Sequence, residues 1–171
     1  MSLHRAYDPR AIQALARRVV RLFSENAQRL TTAEPCTGGW VAQALTAIPG
    51  SSSCFDRGFV CYSNDAKREM LGVPSETLDR HGAVSEAAAA AMARGALRHS
   101  TSDWSLSITG IAGPDGGTPE KPVGVVCFAW ACRDRCETRT RRFDGSREAV
   151  RGQSVSFALE GLLDFASLRS A

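Results

Sequence analysis

Helix and strand signals alternate along this chain, and that alternation limits the folds open to it. Asp8 before Pro9 is typical of a helix start, and apolar residues at helical spacing continue to near Asn26. The pattern predicts strands at residues 30–33, 55–62, 104–109, 123–132 and 137–143, and helices at residues 9–26, 40–48, 65–71, 74–80, 85–97 and from about 146. Interleaved elements of this kind indicate an α/β protein of three layers, with helices on both faces of a sheet.

The last two predicted strands indicate that the sheet is mixed. Residues 123–132 form a continuous apolar run, which suits a strand buried on both faces. Residues 137–143 alternate in polarity and are expected to pair with that strand as a hairpin, which argues against a purely parallel sheet. With 171 residues, no repeat and no convincing linker, the chain is expected to be one domain over residues 1–171.

Composition argues against several classes of protein. The net charge of +3 gives little support to a nucleic-acid partner, and no apolar run approaches the roughly 20 residues of a membrane helix. The amino terminus carries no apolar signal core. None of the six cysteines forms a C-x-x-C pair and there are only three histidines, so we expect no metal site and reduced thiols in a cytoplasmic protein.

Arginines cluster around the predicted hairpin. They are Arg133, Arg135, Arg139, Arg141 and Arg142, interrupted by Asp134 and Glu137. Two interpretations stay open: a solvated strand face, or a basic rim that attracts an anionic metabolite.

Residues 109–117 hold four glycines and a proline directly after a predicted strand. Glycine costs conformational entropy on folding, so such a cluster indicates a sharp turn or a close approach to another group. A loop at this position is where α/β sheets often bind phosphorylated molecules, although a tight connection is the plain alternative. Two further polar loops with glycine lie at residues 34–39 and 49–53.

Known catalytic motifs are absent from the sequence, which leaves serine and lysine as candidates. There is no G-x-S-x-G elbow, no Walker A loop and no complete dinucleotide fingerprint. His81 precedes a glycine and is expected to cap a helix rather than act as a base. Ser51, Ser52 and Ser53 precede a strand and Lys67 follows it. Burial and a helix start would favour neutral Lys67, but spacing alone equally allows a plain turn and a surface lysine.

Six linked motifs make the chain resemble the CinA carboxy-terminal domain family, the nicotinamide mononucleotide deamidases. The motifs occupy residues 33–39, 50–52, 55–67, 81–86, 109–117 and 120–124, in matching order, and the resemblance covers about residues 10–168. It implies a CinA C-terminal-domain-like α/β/α sandwich and a stand-alone form of the domain. It also implies hydrolysis of the nicotinamide mononucleotide carboxamide to nicotinate mononucleotide and ammonia, with no cofactor or metal, by a homo-oligomer.

The resemblance also implies roles for particular residues. Ser52 would be the nucleophile and Lys67 its general base, with Tyr62 and Thr109 in the polar network of the active site and Arg147 facing the nucleotide. The physical chemistry is compatible with these roles, since an acyl-enzyme route needs an activated nucleophile and donors for the oxyanion.

Backbone N–H groups in two of the glycine-containing loops are candidate ligands for the substrate. Thr37, Gly38 and Gly39 open a helix and offer a candidate phosphate site. Gly110 and Gly113, in the longer loop, are the other candidates. Tyr62 either contacts the pyridinium cation through its ring face or only packs at the end of a strand.

Pro35 departs from the family pattern, in which a serine associated with activity occupies this position. Proline lacks both a hydroxyl and an N–H. Two main hypotheses follow: an active amidase, or a weakened or inactive nucleotide-binding or regulatory domain. A DNA-associated competence factor is a third, which the small net charge disfavours.

Overall fold

A five-stranded mixed sheet forms the centre of the computed structural model, which describes residues 7–167. In chain order the strands are β1 (Leu30–Ala33), β2 (Phe55–Phe59), β3 (Trp104–Gly110), β4 (Val125–Cys132) and β5 (Cys136–Arg142). They lie side by side in the order β2-β1-β3-β4-β5. β1 is parallel to β2 and β3, whereas β4 is antiparallel to β3 and β5. The mixed sheet and the final hairpin predicted from the sequence are therefore confirmed.

Within residues 7–167, six α-helices cover the two faces of the sheet. They are α1 (Pro9–Glu25), α2 (Trp40–Thr46), α3 (Asn64–Leu71), α4 (Ser75–His81), α5 (Glu86–Arg98) and α6 (Arg147–Ser167), and a short 3-10 helix spans Ser51–Ser53. Helices α1, α2 and α6 share the larger apolar core with one face of the sheet, and α3, α4 and α5 pack on the other. This is the predicted three-layer α/β/α sandwich. No helix within residues 7–167 is both long and apolar enough to cross a bilayer.

The central strand β3 shows how the sequence distinguishes the two faces. Large side chains, Trp104, Leu106 and Ile108, alternate with small hydroxyl residues and enter the larger core. The hydroxyls of Ser105 and Ser107 donate to the carbonyl oxygens of Ala93 and Ala89 on α5, at 2.8 and 2.6 Å. Small residues on both partners let the alanine-rich helix lie close to the strand.

Two predicted strand boundaries differ from the observed ones by more than one residue. β2 ends at Phe59 rather than at residue 62, because its partner β1 is only four residues long and Ala33 pairs with Phe59. Residues 60–62 leave the sheet and carry the chain over its edge. β4 begins at Val125 rather than at residue 123, after Gly124 with a left-handed φ of 92°.

Candidate active site

A cavity of about 180 Å³ lies where the three parallel strands end. The loops after β1, β2 and β3 meet at this edge of the sheet, since the carboxyl ends of parallel strands point the same way. Its lining residues are Pro35, Cys36, Tyr62, Asn64, Lys67, Ala83, Val84, Thr109, Gly110, Ala112 and Arg147. We call it the Lys67 cavity. Four residues predicted for the site from the sequence therefore lie together with Lys67: Tyr62, Thr109, Gly110 and Arg147.

Lys67 is held in this cavity by the start of helix α3. Ser63 caps the helix by accepting the backbone N–H of Ala66 at 3.0 Å, and Lys67 follows within the first turn. The ammonium group donates to the carbonyl oxygens of Tyr62 and Ser63, at 2.9 and 3.4 Å. The residue is only 3% exposed, and burial lowers the pKa of the amine, with Cys61 and Tyr62 opposing that shift. Lys67 is thus suited to accept a proton.

Arg147, the first residue of α6, joins the glycine-rich loop to Tyr62. Its guanidinium donates to the carbonyl oxygen of Gly113 at 2.8 Å and to the Tyr62 hydroxyl at 3.3 Å. Gly113 has a φ of 82°, which favours glycine, and Val123 leaves no room for a side chain there. Tyr62 is 67% exposed and forms the rim of the cavity, so its ring is available to a ligand.

Thr109 lines the cavity but its hydroxyl already has a partner. It donates to the carbonyl oxygen of Ala83 at 2.7 Å, which ties the loop before α5 to the end of β3. This bond continues the row of hydroxyl contacts that β3 makes with α5. Thr109 therefore shapes the cavity wall.

Next to the candidate phosphate site at Thr37, Gly38 and Gly39, the chain supplies its own anion to the start of α2. The Glu34 carboxylate is 1% exposed and accepts the backbone N–H groups of Val41 and Ala42 at 2.8 and 2.9 Å. It also accepts the hydroxyls of Thr37 and Thr32 at 2.7 and 3.0 Å. This carboxylate closes the N–H groups of Val41 and Ala42 to a phosphate, whereas phosphate binding by the backbone of residues 37–39 stays a prediction.

Ser52 is not brought to Lys67 in this structure. It is an exposed residue of the 3-10 helix before β2, and is not among the residues that line the Lys67 cavity. Lys67 lies in the helix that follows the other end of β2. A five-residue strand, about 13 Å in length, therefore separates the two positions. The neighbouring Ser53 hydroxyl bonds to Ser24 of α1 at 2.7 Å, which ties this turn to α1.

Pro35, Cys36 and Asn64 are among the lining residues that were not recognised as site residues from the sequence. Pro35 was identified as a departure, but its place beside Lys67 becomes visible only once the strand ends are brought together. Cys36 follows it, and burial raises the pKa of its thiol to about 11 despite the opposing charges of Arg151 and Arg147. The thiol is therefore protonated at neutral pH. Asn64 carries an amide and lies in the same helix turn as Lys67. Its position three residues before Lys67 could have identified it as a site residue from the sequence.

Within residues 7–167 no cluster of three His, Cys, Asp or Glu side chains could hold a metal ion. The six cysteines, all in this range, are free thiols.

Comparison with known proteins assigns the family. Residues 12–166 match the model of the CinA C-terminal domain. A nicotinamide-nucleotide amidohydrolase PncC of Escherichia coli is 51% identical over 152 residues, which are 88% of this chain and 92% of that protein. The PncC of Pseudomonas putida is 47% identical, over 91% of this chain and 96% of that protein.

The fold comparison agrees with the sequence comparison. The crystal structure of a competence/damage inducible protein from Agrobacterium tumefaciens matches with a TM-score of 0.88 and 47% identity, covering 96% of this chain and 98% of that one. An Escherichia coli CinA superfamily structure matches with the same TM-score of 0.88 at 37% identity. The chain belongs to the CinA C-terminal domain family.

Proposed function

We propose that this chain hydrolyses the carboxamide of a nicotinamide nucleotide in the Lys67 cavity and releases ammonia. The observation that supports this most directly is a buried lysine of lowered pKa, Lys67, which lines one cavity with Arg147 at the carboxyl ends of the parallel strands. Relatives about 50% identical carry the name of that activity.

The size of the cavity indicates how such a substrate lies. At about 180 Å³ it is smaller than the roughly 300 Å³ typical of pockets that enclose a whole ligand. The pyridine ring and its carboxamide fit inside, and the ribose and phosphate lie outside it, against Arg147 and the exposed Tyr62. The Tyr62 ring can then face the pyridinium cation.

Lys67 is the residue to which we assign proton transfer. The uncharged amine takes a proton from a water molecule, and the water oxygen attacks the carboxamide carbon. When the tetrahedral intermediate collapses, Lys67 returns the proton to the leaving nitrogen, which departs as ammonia. The amide of Asn64, which lines the cavity, can donate to the developing oxyanion. A Ser52 nucleophile stays a prediction that requires rearrangement of the turn before β2.

A second candidate function is nucleotide binding with little or no turnover. Pro35 favours it, because this residue lines the cavity beside Lys67 and has neither the hydroxyl nor the N–H that a serine would supply there. The cavity would then recognise the nucleotide and signal its presence.

Ammonia release from nicotinamide mononucleotide distinguishes the two candidates. The hydrolase predicts turnover by the wild type and loss of turnover in Lys67→Met. The binding domain predicts a nucleotide-dependent rise in Tm without ammonia, and appearance of turnover in Pro35→Ser, where a hydroxyl is placed beside Lys67. Ligand-independent Tm and no ammonia in any variant would reject both.

We further propose that the protein acts on a small-molecule substrate in the cytoplasm as a homo-oligomer. The free cysteines support a reducing compartment. The oligomer rests on the family resemblance alone, and light scattering of the purified chain tests it.

A further inference from the structure

A second and larger cavity, of about 570 Å³, lies at the opposite end of β3 from the Lys67 cavity. Its walls come from the last turns of α5, from the segment before β3, and from the turn between β4 and β5. We call it the arginine cavity, because Arg94 and Arg98 line it from α5 and Arg133 and Arg135 line it from the turn.

Positive charge predominates in the arginine cavity. Four arginines face two aspartates among its lining residues. Arg94 and Arg98 are four residues apart on α5 and therefore point from the same side of the helix. One of the aspartates, Asp103, uses a carboxylate oxygen to accept the backbone N–H of Arg29 at 2.8 Å.

Arg135 is already positioned by its neighbours. Its guanidinium lies 4.4 Å from the centre of the Phe165 ring and 3.0 Å from the Glu137 carboxylate. Stacking on an aromatic ring restricts this long side chain, so less conformational entropy is lost when it binds an anion. The nearby Arg139 and Arg141 differ, since they lie over the Trp130 and Phe157 rings and do not line this cavity.

The cavity wall also holds a buried hydroxyl without a partner. The Ser102 hydroxyl has no hydrogen-bond partner among the described residues, although its oxygen is shielded from solvent. A buried donor left unsatisfied is costly, and rotation of the Ser102 side chain toward the cavity would let an oxygen atom of a bound ligand satisfy it.

We propose that the arginine cavity binds a phosphate-bearing small molecule, either an inorganic polyphosphate or a nucleotide. Guanidinium groups match phosphate in geometry as well as in charge. The volume falls in the range of about 300–1,000 Å³ that small-molecule sites occupy. Leu97 and Cys132 add an apolar wall for a base or sugar. Because α5 is 13 residues long, about 20 Å, this ligand is distinct from the substrate of the Lys67 cavity.

Calorimetric titration of the full chain with pyrophosphate and with ADP, at fixed ionic strength, tests this site. The cavity variant is Arg94→Gln with Arg133→Gln, two exposed residues. The matched control is Arg17→Gln with Arg18→Gln, which removes the same charge from the exposed side of α1. We expect saturable binding to the wild type, at least about tenfold weaker binding to the cavity variant, and little change in the control.

The two probes and one further variant give the remaining outcomes. If ADP binds more tightly than pyrophosphate, the ligand is a nucleotide. If ADP binds no more tightly than pyrophosphate, the ligand is an inorganic polyphosphate. Pyrophosphate binding that is unchanged in Arg147→Gln supports a site separate from the Lys67 cavity. Absence of binding to the wild type, equal weakening in the control, or loss of binding in Arg147→Gln but not in the cavity variant would overturn the proposal.

Discussion

Two loops follow neighbouring parallel strands, and both contain glycines that suit them to bind an anion. The loop after β1, residues 34–39, is closed because Glu34 places its own carboxylate at the start of α2. The loop after β3, residues 111–117, meets instead the guanidinium of Arg147, which bonds to Gly113 and also lines the Lys67 cavity. A glycine-rich loop is therefore available to a ligand only when the chain does not supply the anion itself.

Replacing Glu34 should give the largest effect on stability. Glu34→Ala leaves four donors of the closed loop without their acceptor, and we expect a loss of about 3 kcal/mol or more in the free energy of unfolding. Glu34→Gln should cost less, because one oxygen remains. Urea denaturation measures both. If either variant instead unfolds like the wild type, the closed loop is not held by this carboxylate.

One arginine of α6 bonds to each of these two loops, which allows a matched pair of variants. Arg151 donates to the carbonyl oxygens of Cys36 and Thr37, at 3.2 and 2.8 Å, and so serves the closed loop. Arg147→Gln should weaken the binding of nicotinamide mononucleotide about tenfold, since a charged hydrogen bond to its phosphate is lost. Arg151→Gln should lower Tm with a smaller effect on affinity.

Nucleotide affinity, from titration calorimetry, and Tm distinguish the two arginines. A stronger loss of affinity in Arg151→Gln than in Arg147→Gln would mean that the phosphate binds at the loop after β1 and not at the loop after β3.

The pH dependence of stability should show the smallest effect. In the folded protein, burial lowers the pKa of Lys67 below its ordinary value of 10.5. Between the folded-state pKa and the ordinary value, the unfolded chain binds more protons than the folded protein. Stability therefore rises with pH in that window. The Tm of the wild type should rise relative to that of Lys67→Met between neutral pH and pH 10.5. A constant difference in Tm would mean that burial does not lower the pKa.

The alternation of apolar segments was enough to predict the layers of this fold, but not every boundary. Residues 60–62 look like strand because Val60, Cys61 and Tyr62 are apolar and aromatic, yet β1 offers no partner beyond Ala33. Strand length in a sheet depends on the neighbouring strand, which a local pattern does not contain. The same limit applies to β4, whose start depends on the turn at Gly124.

The family resemblance, and not the local pattern, implied that Lys67, Tyr62, Thr109 and Arg147 belong to one site. All four residues line one cavity. Ser52 precedes its strand, and direction along a parallel strand decides which edge of the sheet a residue reaches. The role of Glu34 was available in the sequence as an acidic residue before a helix start, but its four bonds depend on the fold of the loop.

Steady-state ammonia release from nicotinamide mononucleotide, measured side by side for the wild type, Ser52→Ala and Lys67→Met, tests most directly whether the chemistry belongs to the Lys67 cavity. If only Pro35→Ser turns over, the same two substitutions are made in that background. Attack by water predicts that Ser52→Ala keeps full turnover, whereas a Ser52 nucleophile predicts that it loses turnover. On either route, Lys67→Met should lose at least about 100-fold. Loss of turnover in Ser52→Ala, with turnover retained in Lys67→Met, would contradict a site at the carboxyl ends of β1, β2 and β3.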